Sequence, residues 1–138
     1  MPAAGERLHV LVADDEPHIG RIIKMKLEQG PFHVALAYDG QEALTAVEED
    51  PALALLLLDV MMPRLSGLDV LARLRADERH RTLPCIILTA AGQEQHYRQA
   101  MALGANDFLT KPFSPKKLYL RVAELTGVPP DALGVEET

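Results

Sequence analysis

The chain has 138 residues, of which 48% are hydrophobic and 25% charged, and this length and balance fit one globular domain. The composition excludes a wholly disordered, collagen-like or fibrous protein. Acidic residues (20) outnumber lysines and arginines (14), and the net charge is −6. We therefore expect no direct nucleic-acid binding by this domain, because attraction to phosphates needs a basic face.

Neither a membrane span nor an export signal is predicted. The longest apolar run, Ala52 to Leu58, is far shorter than the ~20 residues that a spanning helix needs. The segment Met1 to Glu6 lacks the basic stretch and long apolar stretch of a secretory signal. The single cysteine, Cys85, cannot form an intramolecular disulfide, which is typical of a cytoplasmic protein.

Short apolar runs alternate with amphipathic segments along the whole chain. The predicted strands are, in order, Leu8 to Ala13, Phe32 to Ala37, Ala54 to Leu58, Pro84 to Thr89 and Ala105 to Leu109. A segment with helical spacing follows each strand. The signals for these helices are Ile19 to Leu27 ended by Gly30-Pro31, a capping pair Asp39 and Glu42, a second pair Ser66 and Asp69, a weaker helix Gln93 to Leu103, and a start at Ser114-Pro115 with Gly127 as the stop.

Five strand–helix units in strict alternation predict an α/β fold of the doubly wound (βα)5 type. The sheet is expected to be parallel and covered by helices on both faces. The predicted domain spans residues 8–126, with residues 1–7 as an N-terminal tail and residues 127–138 as a C-terminal tail or linker.

Polar residues follow four of the five predicted strands. Asp14 and Asp15 follow the first strand, Asp59 the third, Thr89 ends the fourth, and the fifth leads to Lys111. Because ligands bind outside the carboxyl ends of parallel strands, these side chains are expected to meet at one edge of the sheet. Taken singly, the aspartates could also be helix caps, Thr89 an ordinary strand residue and Lys111 a solvated lysine.

Three clustered carboxylates either raise a pKa or hold a cation. Oxygen ligands favour Mg²⁺ or Mn²⁺ over zinc. A divalent cation, a lysine, a hydroxyl and a carboxylate together suit the handling of a phosphoryl group, with Asp59 as the candidate nucleophile.

The chain resembles the response-regulator receiver domain of two-component signalling from about Leu8 to Leu125. The matching motifs, in order, are Asp14-Asp15, Leu56 to Pro63 around Asp59, Ser66-Gly67, Leu88-Thr89-Ala90, Gly104-Ala105 and Lys111-Pro112-Phe113. The resemblance implies the strand order 2-1-3-4-5. It also implies the phosphoacceptor Asp59, the metal ligands Asp14, Asp15, Asp59 and the Met61 backbone carbonyl, the phosphoryl-binding residues Lys111, Thr89 and Ala90, the switch residues Thr89 and Phe108, and a cis bond before Pro112.

The resemblance implies a phosphorylation-dependent switch rather than an enzyme acting on a metabolite. The domain would take a phosphoryl group from a sensor histidine kinase or a histidine phosphotransfer protein in a Mg²⁺-dependent reaction. Its fourth helix, fifth strand and fifth helix would then change shape toward a partner or output domain. A monomer and a phosphorylation-dependent homodimer are both compatible with the sequence, as are a stand-alone receiver and a piece of a larger regulator.

Three alternative functions fit the sequence less well than a receiver domain. An aspartyl phosphatase usually needs a second acid two residues after its nucleophile, where this chain has Met61. A flavin module needs a phosphate-binding loop, but the first strand is followed by acids. A degenerate receiver would lack some of the acids, the threonine or the lysine that are present here.

Several further residues are interpreted without a role in the site. Arginines on the third helix and after it, Arg73, Arg75, Arg79 and Arg81, are interpreted as a solvated face. Tyr119 and Leu120 fit the apolar face of the last helix poorly, and either an interaction surface or incomplete burial would explain them. The five histidines are scattered along the chain, which favours surface or core positions over metal binding.

Overall fold

The computed structural model describes residues 7–93 and 95–129, in which five strands alternate with five helices. The elements are β1 (Leu8–Ala13), α1 (Pro17–Leu27), β2 (Phe32–Ala37), α2 (Gly40–Glu49), β3 (Leu53–Asp59), α3 (Gly67–Ala76), β4 (Cys85–Ala90), α4 (Gln95–Ala102), β5 (Asp107–Lys111) and α5 (Pro115–Thr126). A single 3₁₀ turn, Glu78–His80, follows α3.

The strands form one parallel sheet in the order β2-β1-β3-β4-β5, so the predicted doubly wound fold and strand order are confirmed. Because all five strands are parallel, their carboxyl ends lie at the same edge of the sheet. That edge is where the topology brings loops from separate units together.

Strand β3 lies at the centre of the sheet, and its leucines supply both halves of the core. Leu55 and Leu57 pack with residues of α1 and α5 on one face, whereas Leu56 and Leu58 pack with residues of α2, α3 and α4 on the other. All four side chains are fully buried. A run without polar alternation is what a parallel strand covered by helices on both faces requires.

The helix ends follow the predicted capping chemistry with one difference. Ser66 accepts a hydrogen bond from the Asp69 N–H, and the Asp69 carboxylate accepts one from the Ser66 N–H, so this capping box is confirmed. Asp39 accepts from the Glu42 N–H as predicted. The Glu42 carboxylate, however, accepts from the N–H of Tyr38 rather than from that of the cap residue.

The fifth strand and the fourth helix differ most from their predicted bounds, whereas each end of β3 and β4 differs by a single residue. The predicted fifth strand, Ala105 to Leu109, lies two residues too early, because Ala105 and Asn106 belong to the turn: the Ala105 N–H bonds the Ala100 carbonyl and the Asn106 N–H bonds the Cys85 carbonyl. The fourth helix spans Gln95–Ala102 and is shorter than the predicted Gln93 to Leu103.

Both interpretations of Tyr119, as part of an interaction surface and as an incompletely buried residue, are wrong. Its side chain is fully buried and its ring meets that of Phe32 edge to face at 5.7 Å. Leu120, the next residue, remains partly exposed. The helical spacing of apolar residues in α5 does not show that Tyr119 is buried, because the room for its ring depends on Gly30. A Cβ on Gly30 would lie 2.1 Å from the Tyr119 hydroxyl oxygen.

The interpretation of Arg75 as a solvated residue is also wrong. Its guanidinium donates to the carbonyls of His80, Leu83 and Gly104 and to the Asn106 side chain. Two separate chain segments, 80–83 and 104–106, are thus tied to the end of α3 by one planar five-donor group. Arg79 differs, since its partners are the carboxylates of Glu48 and Asp77.

Residues at both predicted domain boundaries contact the folded part. Arg7, from the predicted N-terminal tail, donates to the carbonyls of Gly30 and Phe32 at 2.9 Å. Gly127 ends α5 in the left-handed region at φ 80°, and Val128 beyond it is buried against the core. The predicted tail segments 1–6 and 130–138 lie outside the described residues. None of the helices in the described part of the chain is both long and apolar enough to span a bilayer.

Candidate functional site

Asp14, Asp15, Asp59 and Lys111 lie close together at the carboxyl edge of the sheet. Asp14 directly follows β1, Asp59 is the last residue of β3, and Lys111 is the last residue of β5. The register places Lys111 opposite Ala90, the last residue of β4, and Asp59 opposite Leu88. Four separate units therefore contribute side chains or backbone to one small area.

Three carboxylates form the acidic part of the site. One ligand oxygen each from Asp14, Asp15 and Asp59 lie within 4.8 Å of one another. Asp14 and Asp59 are buried, at 1% and 4% exposure, whereas Asp15 is open to solvent. Two negative charges this close cost on the order of 4 kcal/mol at an effective dielectric of 20, so the cluster needs a positive partner.

Lys111 supplies that positive charge inside the protein. Its Nζ lies 2.9 Å from Asp14 Oδ2, 3.1 Å from Glu16 Oε1 and 3.3 Å from Asp59 Oδ2. Burial alone would lower the pKa of the Lys111 ammonium. The bonds to Asp14 and Glu16 and the charge of Asp59 outweigh burial and hold this pKa above its usual value, so the lysine stays charged.

One ammonium does not compensate the whole cluster. Burial, followed by the charge of Asp14, raises the pKa of Asp59 to about 7, against the lowering effect of Lys111. A carboxyl with such a pKa holds its proton near neutrality unless another cation arrives.

The residues present fit a divalent cation with oxygen ligands. Asp14 Oδ2 is a buried oxygen, and the Lys111 ammonium 2.9 Å away is its partner among the described residues. The other Asp14 oxygen accepts from the Glu16 N–H at 2.9 Å, which fixes the carboxylate in place. A fixed, buried oxygen beside two more carboxylates is a typical arrangement for Mg²⁺ or Mn²⁺.

The metal-free protein is expected to lose stability as the pH rises through the range set by Asp59. Between pH ~4 and ~7 the folded state keeps a proton on Asp59 that the unfolded chain has released, so the free energy of unfolding falls with rising pH. Asp59→Asn removes this dependence. We expect the stability difference between the two proteins to change by about 2 kcal/mol across this range, less than the full pKa shift implies because the site is partly solvated.

Urea unfolding in EDTA at several pH values measures this difference. Glu49→Gln, a neutralised and exposed acid on α2, is the matched control and should track the wild type. Excess Mg²⁺ should flatten the wild-type dependence, because it stabilises the ionised carboxylate. A parallel pH dependence in wild type and Asp59→Asn would contradict the prediction.

The other predicted residues lie on β4, on β5 and directly after β5. Thr89 is buried, and its hydroxyl shares a hydrogen bond of 3.1 Å with His96 Nδ1 on α4. Phe108 is half-buried, with its ring edge to face with Tyr97 at 5.4 Å. Ala90 is exposed at the end of β4. The Lys111–Pro112 peptide bond is cis.

Met61 follows the phosphoacceptor candidate by two residues, and its side chain is 63% exposed. The side chain is therefore open to solvent, and the part of Met61 predicted to bind the metal is its backbone carbonyl. The local backbone is held by Gly67, whose N–H donates to the Val60 carbonyl at 3.0 Å.

Sequence reasoning missed two residues of the site. Glu16 binds Lys111, although the acidic run Asp14-Asp15-Glu16 was visible and only its first two members were assigned to the site. His96 binds Thr89 across seven residues of chain, and no local pattern in the sequence indicates that contact.

A doubly wound fold with an acidic cluster, a buried lysine and a threonine at the carboxyl ends of its strands defines an α/β domain with a cation-binding type of site at that edge. Comparison with known families makes this specific. Residues 10–123 match the model of the response regulator receiver domain, and the chain belongs to that family. It is thus a receiver domain of a two-component response regulator.

Curated relatives and solved structures agree. The chain is 40% identical over 116 residues to the transcriptional regulatory protein SrrA of Staphylococcus aureus, a match covering 84% of this chain and 46% of that protein. The chain thus spans about half the length of the curated relatives it matches. A Francisella receiver domain (1452) is 36% identical with a TM-score of 0.79, covering 88% of this chain and 98% of that one. A putative response regulator from Chloroflexus aurantiacus is 30% identical with a TM-score of 0.83, covering 88% and 99%.

Proposed function

We propose that this receiver domain accepts a phosphoryl group from a phosphohistidine donor onto Asp59 in a reaction that depends on Mg²⁺. The observation that carries the proposal is the position of the Asp59 carboxyl. It is buried at the carboxyl edge of the sheet, 3.3 Å from the Lys111 ammonium and within ligand distance of Asp14 and Asp15.

In the proposed transfer, an Asp59 carboxylate oxygen attacks phosphorus. The O–P bond forms as the N–P bond of the phosphohistidine breaks, and the departing imidazole nitrogen keeps the electron pair and is protonated by water. Lys111 balances charge on the transferred oxygens because its ammonium is already directed at the attacking carboxylate. Asp14, Asp15, Asp59 and the Met61 carbonyl would hold Mg²⁺ or Mn²⁺. The bound ion would neutralise the carboxylates and a phosphoryl oxygen.

Phosphorylation adds charge and three acceptor oxygens to Asp59. Thr89 and Ala90, at the end of the neighbouring strand, and Lys111 are the proposed partners of these oxygens. When the Thr89 hydroxyl turns toward them, Phe108 moves with it and the face formed by α4, β5 and α5 changes. A cavity of about 230 Å³ lined by Thr89, Tyr97 and Phe108 offers room for that movement.

The proposed domain catalyses its own phosphorylation and dephosphorylation and does not turn over a metabolite. Its proposed partners are a sensor histidine kinase or histidine phosphotransfer protein and an output protein or domain. We place it in the cytoplasm, without direct contact with nucleic acid or membrane, as a monomer or a phosphorylation-dependent homodimer. The net charge of −6 and the buried free thiol of Cys85 support this placement.

Intact mass spectrometry after incubation with acetyl phosphate and Mg²⁺ tests the function. Wild type should gain the mass of one phosphoryl group, and Asp59→Asn or wild type in EDTA should gain none. Asp50→Asn, an aspartate at the opposite edge of the sheet beside His9, is the control and should gain the full mass. Labelling of Asp59→Asn would refute the proposal. Turnover of a phosphomonoester that Asp59→Asn abolishes would instead indicate a phosphatase.

A further inference from the structure

Thr89 has a hydrogen-bond partner outside the acidic site. Its hydroxyl and the Nδ1 atom of His96 are 3.1 Å apart, and Thr89 itself is 1% exposed. His96 is the second residue of α4, and its own N–H donates to the Gln93 carbonyl. The contact therefore joins the end of β4 to the first turn of α4.

A threonine hydroxyl has one proton and one oxygen position for each rotamer. Whichever tautomer His96 adopts, the shared bond holds the hydroxyl oxygen beside α4. A phosphoryl oxygen on Asp59 needs the same hydroxyl as a donor. With Nδ1 as the acceptor, the hydroxyl donates its single proton to His96 and has none left to donate to a phosphoryl oxygen. The hydroxyl must then leave His96 before it can serve the phosphoryl group.

Helix α4 is weakly attached to the rest of the domain, which makes this bond important for its position. Among its eight residues, all within the described part, Ala100 alone is buried. Tyr97 is 51% exposed and contacts the Phe108 ring only edge to face. A cavity of about 230 Å³ lies between Tyr97 of α4 and residues of β4 and β5, so the helix is incompletely packed against the sheet there.

We propose that His96 is a positioning residue that holds the Thr89 hydroxyl away from Asp59, so that a phosphoryl group must displace His96 to obtain it. The loss of this bond then releases the first turn of α4. This inference rests on the proposed function. In addition to the proposed movement of Phe108, it connects Thr89 directly to α4 through His96.

A double-mutant cycle measures this competition. Beryllofluoride, a phosphoryl analogue that binds aspartate carboxylates with Mg²⁺, is titrated by calorimetry into wild type, His96→Leu, Thr89→Ala and the double variant. His96→Leu should bind it about three- to ten-fold more tightly, the value of one ordinary hydrogen bond. In the Thr89→Ala background the same change should have no effect. His96→Asn places an amide near the Nδ1 position and should restore wild-type binding.

The outcomes separate this inference from the function on which it depends. If wild type fails to bind beryllofluoride, the proposed function fails and the inference with it. A second outcome is that wild type binds beryllofluoride while His96→Leu binds it no more tightly. A third is that the His96→Leu change alters the affinity equally in the Thr89→Ala background. Either of these two results overturns only the role of His96.

A second measurement needs no variant of His96. The ring nitrogens of ¹⁵N-histidine-labelled wild type are followed by NMR during the same titration. The His96 Nδ1 resonance should shift as Thr89 leaves it, while that of His33, an exposed residue on β2, should stay constant. An unchanged His96 resonance in the saturated protein would overturn the proposal.

Discussion

Lys111→Met is expected to slow phosphorylation of Asp59 by acetyl phosphate by about 100-fold or more, the usual effect of removing one preorganised charge from a reacting site. The ammonium is the positive group that Asp14, Glu16 and Asp59 share. Without it, Asp59 keeps its proton to still higher pH, and the attacking carboxylate becomes scarcer as well as less well compensated.

The time course of phosphorylation by intact mass gives the rate, and thermal unfolding shows whether the variant folds. Lys116→Met, an exposed lysine in the first turn of α5, is the matched control and should keep the wild-type rate. A folded Lys111→Met protein with a rate within about threefold of wild type would mean that the charge is not used in the transfer.

Gly67→Ala is expected to destabilise the domain by about 3 kcal/mol, at the upper end for an added methyl group in a packed site. A Cβ at Gly67 would lie 2.3 Å from the Asp59 carbonyl oxygen and 2.9 Å from its carbonyl carbon. Both atoms are backbone, so neither can move aside as a side chain can. The start of α3 must move away from β3, and Asp59 moves with the strand end.

Gly20→Ala is the control for the same chemical change. There the added Cβ would meet only the Leu36 side chain, at 3.3 Å, and alanine also favours the helix. We expect a change within about 1 kcal/mol. Urea unfolding measures both, and phosphorylation of the folded fraction shows whether Asp59 has moved. Equal stabilities for the two variants would contradict the prediction.

The sequence was sufficient for the architecture because each element carries a strong local signal. The bounds of β1 and β2 agree residue for residue with the prediction. The run Ala54 to Leu58 is predicted as a strand from its length although alanine and leucine prefer helices. Burial of its leucines on both faces of the sheet explains why the strand forms. The convergence of Asp14, Asp59 and Lys111 also followed, since parallel strands end at one edge.

What escaped prediction depends on contacts between distant segments. Tyr119 is buried because Gly30, far away in the chain, leaves room for its ring. Arg75 is held by carbonyls that only the folded loops bring within reach. His96 finds Thr89 because α4 begins beside the end of β4. The side chains alone do not reveal any of these partners, since each is specified by backbone geometry in another unit.

The alternation of leucines in β3 also limits how this segment can evolve. Successive residues enter opposite cores, so aliphatic substitutions keep each layer filled, whereas inserting or deleting one residue would exchange the two sets of side chains. Such an insertion or deletion would also turn the Asp59 side chain away from Asp14, which follows β1, and from Lys111 on β5. Point changes among these leucines should therefore accumulate among descendants of this gene, while the length of the strand stays constant.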